Sequence, residues 1–243
     1  MSSMNFILGI PFLFISCTSP HKADRVYKTN HFKIFYTELD DIRIKEISDS
    51  LENNYTRIIT NLKSKKLPII NIHFYADIID LQKAVKSSVP DLPVWAVGLA
   101  TSVSEIHMLS PDHPKQDYQT MIRNTIHEFA HCVSLNINNT IANNPRWLWE
   151  SVAIYEANLP WDPHGLSYLV NQNPPTLSEL NQLSNTYIYE VGYFIADYLV
   201  ETKGISVLNT LIKNNGNLRQ TLNTDDQEFT KQWFAFVKKK YGI

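Results

Sequence analysis

The sequence predicts an α+β domain built in two lobes, an N-terminal mixed sheet with helices followed by an all-helical C-terminal lobe. Three observations carry this. Segments that alternate with a period of two lie before about residue 110, and segments with helical spacing dominate from Asp117 onward. A composition of 44% hydrophobic and 19% charged residues describes a packed protein, and 243 residues suffice for one sizeable core.

The elements follow in order. His31 to Tyr36 (HFKIFY) alternates and reads as a strand. From Asp40 to Lys66, residues Ile42, Ile44, Ile47, Leu51, Tyr55, Ile58, Ile59 and Leu62 recur at helical spacing, so a long amphipathic helix is expected, capped by Asp40 and ended by Pro68. Ile69 to Tyr75 reads as a second strand and Ile78 to Lys86 as a short helix. Val94 to Ser110 predicts two more strands around a turn near Thr101 to Ser104. Helices are then expected over 117–137, 146–158, 187–203, 205–214 and 225–240, with Asn136 to Pro145 (NINNTIANNP) as a linker. The two lobes should meet near residues 110–150.

The first thirty residues are of a different kind. Phe6 to Ile15 (FILGIPFLFI) is an apolar run too short to span a bilayer as a helix but of the right length for a signal-peptide core. Ser16-Cys17 directly after it resembles a bacterial lipoprotein signal, in which Cys17 becomes the lipidated first residue of an exported protein held at the cell-envelope membrane. An ordinary cleaved signal, giving a soluble secreted or periplasmic protein, is the first alternative, and a buried apolar segment the second. The expected organisation is a signal over 1–17, a tether over 18–30 and a single domain over 31–243. Cys17 and Cys132 are the only cysteines, so acylation of Cys17 leaves no intramolecular disulfide and makes Cys132 a small buried thiol. The net charge of -2 provides no positive field to track a phosphate backbone, which argues against nucleic acid as the main partner.

Chemistry concentrates in Asn124 to Val133 (NTIHEFAHCV). His127 and His131 stand four apart, so on a helix both imidazoles project from one side and can reach one ion. Glu128 lies about 100° around, where it can hold a water bound to that ion. Ile122, Ile126, Phe129, Ala130 and Val133 form an apolar arc from which both histidines are excluded. A catalytic zinc needs a third protein ligand, and Glu150 in "NPRWLWESVAIYE" is the candidate, set among Trp147, Ala153, Ile154 and Ala157. An ion pair between Glu150 and Arg146 or Arg123 is the structural alternative.

His-Glu-Phe-Ala-His, then eighteen residues, then Glu resembles the gluzincin metallopeptidases, the thermolysin-like and aminopeptidase-N-like branch of zinc proteases. "WLWESVAIYEA" is similar to the second zinc-binding segment of the aminopeptidase-N branch, with Trp149 where Asn is usual. "TYIYEVGYFIADYL" resembles that branch's Tyr-Glu-Lys-Gly helix, whose tyrosine donates to the developing oxyanion. The resemblance covers about residues 94–204 and implies a zincin fold with a thermolysin-like catalytic domain, one Zn2+ per chain and a peptide or protein substrate. It makes His127, His131 and Glu150 the ligands, Glu128 the general base and Tyr189 the oxyanion donor. Tyr187 and Tyr193 are rivals for the last role, and Gly192 inside that helix signals close approach of another element. Val97-Gly98-Leu99-Ala100 corresponds to the family's substrate-binding edge strand but lacks the amine-capturing glutamate, which points to an endopeptidase rather than an aminopeptidase. Position 154, where thermolysin has a histidine-orienting Asp, is Ile. Two readings compete with the peptidase: a zinc-binding lipoprotein that presents its groove to a partner without cutting, and a metal-free protein with incidental histidines.

Overall fold

The computed structural model describes residues 23–114 and 117–243. The signal and Cys17 lie outside the described residues. Strands β1 (Arg25–Lys28) and β2 (Phe32–Tyr36) are followed by helix α1 (Asp41–Asn61), strand β3 (Ile70–Tyr75), helix α2 (Ile78–Val85) and the hairpin of β4 (Gly98–Ser102) and β5 (Glu105–Leu109). Helices α3 (Tyr118–Ile137), α4 (Arg146–Glu156), α5 (Ser167–Val170), α6 (Leu177–Leu180), α7 (Tyr187–Lys203), α8 (Ser206–Lys213), α9 (Leu218–Leu222) and α10 (Asp226–Tyr241) complete the chain. The fold is therefore α+β, with strands in the first half and helices alone in the second.

The five strands form one mixed sheet in the order β1-β2-β3-β5-β4. Its centre is parallel, β2 with β3 and β3 with β5, while β1 and β4 are antiparallel edges. Period-two alternation sends Phe32, Ile34, Ile70, Ile72, Phe74, Ile106 and Met108 to one face, all buried. Helices α1 and α3 cover that face, and Phe129 of α3 meets Phe32 and Tyr55 ring to ring. Among the described residues the other face is covered at one end, where Leu81 and Val85 of α2 pack with Leu92, Ala96 and Leu109. Helix α3 thus joins the lobes, with the sheet on one side and α4 on the other. Among the described residues no helix is long and apolar enough to cross a membrane.

Three expectations need correction. Residues 25–28, assigned to the tether, form edge strand β1, with Tyr27 set opposite Ile34. The first long helix stops at Asn61, well before Pro68, because Lys63 takes a left-handed backbone and the Ser64 N–H closes back on the Ile59 carbonyl. Asp40 occupies the N-cap position of α1 without capping it through its side chain; the Ser110 hydroxyl donates to its carboxylate at 2.5 Å, tying the end of β5 to the start of α1.

Candidate metal centre

Helix α3 is entered through Asp117, whose carboxylate accepts the Thr120 N–H at 2.8 Å. From there helical geometry alone brings His127 and His131 together one turn apart, their rings 4.5 Å apart and nearly perpendicular. Both are buried, on the face that meets α4 rather than on the apolar stripe facing the sheet. Helix α4 begins after Pro145 and is fixed by Arg146, whose buried guanidinium donates to the carbonyls of Leu180, Gln182 and Asn185. Arg123 reaches the Asn158 carbonyl instead. Neither arginine pairs with Glu150, which removes the ion-pair alternative.

Glu150 turns towards the histidines. Its Oε2 lies 3.2 Å from His127 Nε2 and 3.7 Å from His131 Nε2. One ligand atom from each of the three residues falls within 4.8 Å of the others. The contacts are close, yet Glu150 Oε2 accepts no directed hydrogen bond, and Glu128 Oε2 beside it is also without a donor. Buried carboxylate oxygens left in this way are costly unless a cation fills the gap. Two atoms each bound about 2.1 Å from a tetrahedral ion stand about 3.4 Å apart, which matches the separations from Glu150 to the two imidazoles. The donor set, two imidazoles and one carboxylate, suits a single divalent metal ion with a coordination position to spare.

Burial and charge set the protonation states. Burial pushes the Glu128 carboxyl up to about 7; Glu150 adds to the rise, and His127 and the Ala100 backbone amide oppose it. Burial and the neighbouring His127 push His131 down to about 4. For His127 burial works downward, but the carboxylates of Glu150 and Glu128 outweigh it and the pKa rises. Burial likewise works against the Glu150 charge, and the two imidazoles overcome it and hold the carboxyl well below the usual range.

Around these groups the chain supplies unusual supports. Trp149 stacks on His131 with centroids 3.8 Å apart and planes 8° from parallel. Neither His127 nor His131 has a hydrogen-bond partner at Nδ1, and Ile154 instead packs against α7 at Gly192. A Cβ at residue 192 would lie 2.8 Å from Ile154 Cδ1 and 3.3 Å from Ser151 Cα, so glycine there is what lets α4 and α7 touch. Cys132 is a buried thiol, donating to the Ser102 carbonyl and joining α3 to β4.

Helix α7 places its tyrosines on different sides. Tyr189 is held between Trp95, whose ring meets it edge-on at 6.1 Å, and the Arg146 guanidinium, 5.3 Å from the ring centre. Burial, with Glu150 and Glu128 nearby, pushes its phenol well above the ordinary value. Tyr193 faces away against Tyr155, and exposed Tyr187 packs on Tyr168. Of the three candidates, Tyr189 is the one in the field of both site carboxylates.

Strand β4 lies at the sheet edge beside α3. The Leu109 N–H donates to the Val97 carbonyl at 2.8 Å, and Leu99 is opposite His107. In an antiparallel ladder the alternate residues, Gly98 and Ala100, then turn their backbone groups to the free edge. Side chains of Val97 and Leu99 pack into the smaller apolar cluster. Val97 to Ala100 therefore present a partly open strand edge next to Glu128. The sequence did not reveal the Trp149 stack, the Ala100 amide on Glu128 or the Trp95 contact. Trp149 stood out only as a departure from the family residue.

No family model matches the chain, and no curated protein matches it.

Proposed function

We propose that this protein is a zinc-dependent peptidase of the gluzincin type, with a thermolysin-like arrangement of its catalytic domain. The observation that supports it most is the meeting of His127, His131 and Glu150 with unpaired carboxylate oxygens beside a second buried carboxylate, Glu128. His127, His131 and Glu150 would hold the ion, which when bound supplies Lewis-acid polarisation of a carbonyl and acidifies water.

The chain's own groups divide the remaining work. The Glu128 carboxyl, raised by burial in the metal-free protein, would be drawn back towards its charged form by a bound cation and would then take a proton from water and return it to the leaving amine. Tyr189 keeps its proton, so its hydroxyl is a donor available to an oxyanion, a role typically contributing about 2–4 kcal/mol. The free edge of β4 offers Gly98 and the Ala100 carbonyl for pairing with an extended peptide backbone. With no glutamate in Val97 to Ala100 to capture an α-amine, internal peptide bonds are the favoured substrates. Export and membrane tethering through Cys17 belong to the same reading and are tested by lipid labelling of wild type and Cys17→Ser.

Elemental analysis beside hydrolysis of a peptide library, with and without chelator, tests the activity. Glu128→Gln should keep the metal and lose cleavage, while His131→Ala should lose both. Cleavage retained by Glu128→Gln would refute the general-base role. Metal bound by the wild type with no peptide cut would leave the non-catalytic binding protein as the surviving account.

A further inference from the structure

We propose that Trp149 is a positioning residue for His131, holding the imidazole plane so that Nε2 points to the place it shares with His127 and Glu150. The proposal rests on the metal-binding reading of the site.

Metal-bound histidines are ordinarily oriented through their second nitrogen, which donates to a carboxylate or carbonyl. Here His131 Nδ1 has no such partner. Rotation about the bond between Cβ and an aromatic ring is soft, so an imidazole without that hydrogen bond samples a broad range of ring planes unless packing restrains it. The restraint present is the indole, at 3.8 Å and 8° from parallel, with both residues almost fully buried. His127 meets the same ring edge-on at 4.5 Å. Stack and edge contact together bracket the plane of His131.

Trp149 and Glu150 are neighbours on α4 and project about 100° apart. One helix therefore delivers both the third ligand and the plate that orients the second. An indole face is electron-rich, and an imidazole bound to a cation is electron-poor. The stack is thus expected to strengthen when the ion is present, coupling ring placement to metal binding. No other aromatic ring stacks on either histidine among the described residues.

The test compares Trp149→Phe, which keeps a flat ring, with Trp149→Met, which fills space without one. Zinc affinity is measured by competition with a chromophoric chelator, and the visible spectrum is recorded with Co2+ in place of zinc. Thermal melts of the metal-free proteins report folding, and Trp149→Leu replaces the Met variant if that one does not fold. The Met protein should bind zinc about 10- to 100-fold more weakly, the range seen on removing a ligand's orienting partner, and should give a broadened Co2+ spectrum. The Phe variant should restore both towards wild type. Wild-type affinity and an unchanged Co2+ spectrum in the Met variant would overturn the positioning role and leave the metal site standing. A wild type that binds no zinc or cobalt overturns the metal reading and the proposal with it.

Discussion

Helix α4 carries two buried glutamates, Glu150 and Glu156, and their surroundings are opposite. Glu156 is fully satisfied: the Arg57 guanidinium donates at 2.6 Å and the Asn61 amide at 3.1 Å. It is a structural carboxylate that fastens α1 to the end of α4. Glu150, equally buried, faces two imidazoles and has an oxygen with no donor. Burial does not separate a site residue from a scaffold residue here. What separates them is the partner: directed guanidinium and amide donors meet Glu156, while Glu150 faces two imidazoles that can themselves hold an ion.

The largest expected effect probes that difference. Glu150→Ala should reduce zinc from one per chain to near zero, while Glu156→Ala should leave one zinc bound; elemental analysis of both decides. Metal retained by Glu150→Ala would show that Glu150 is only a buried acceptor and erase the contrast.

The next effect is on stability. Arg57→Ala removes the charge partner of a fully buried Glu156, and loss of such a partner costs about 3 kcal/mol, somewhat less here because Arg57 itself is partly exposed. Urea unfolding of the metal-free protein measures this, with the double variant Arg57→Ala/Glu156→Gln recovering part of the loss. No recovery would mean that Arg57 stabilises α1 for reasons other than Glu156.

Half of this contrast could be read from the chain. The His127–His131 pair is a matter of helical spacing, a local property, and the segment that contains it is long and strongly periodic. Glu150 needed the further premise that two histidines want a third ligand, because its approach to them depends on how α4 packs on α3. The satisfied state of Glu156 was not legible, since Arg57 lies 99 residues away on another helix. The same reason hid the Trp149 stack. Strand β1 escaped notice because a four-residue edge strand is held by pairing with its neighbour rather than by its own pattern. Helices α5, α6 and α9, four or five residues each, are too short to display a helical period.

A pH measurement sharpens the site half. The Glu128 carboxyl rises from its ordinary 4.5 to about 7 in the folded, metal-free protein. The folded state therefore holds this proton more tightly than the unfolded chain, and that stabilisation is lost as pH climbs from 4.5 through 7. At about 1.4 kcal/mol per unit the loss is on the order of 3 kcal/mol. Chelator-treated wild type should accordingly lose stability between pH 5 and 8 relative to Glu128→Gln, which has no proton to release. Parallel pH profiles would show that burial does not hold Glu128 in its protonated form.

The smallest effect is also the most direct opposition of the two glutamates. Glutamine keeps the shape of each side chain and removes its charge. At Glu156 that change weakens bonds to a guanidinium and an amide, so the protein should lose about 1–2 kcal/mol. At Glu150 in metal-free protein it removes a charge that no directed donor satisfies, although the imidazoles favour it electrostatically. These contributions oppose each other, and residues selected for binding commonly cost stability in the unliganded state. Glu150→Gln should therefore stay within about 1 kcal/mol of wild type, on the destabilising side because the imidazoles favour the charged form. Added zinc should then raise the melting temperature of the wild type and of Glu156→Gln but not of Glu150→Gln. A Glu150→Gln protein as damaged as Glu156→Gln would place both residues in the scaffold, with the histidines serving as ordinary partners of Glu150.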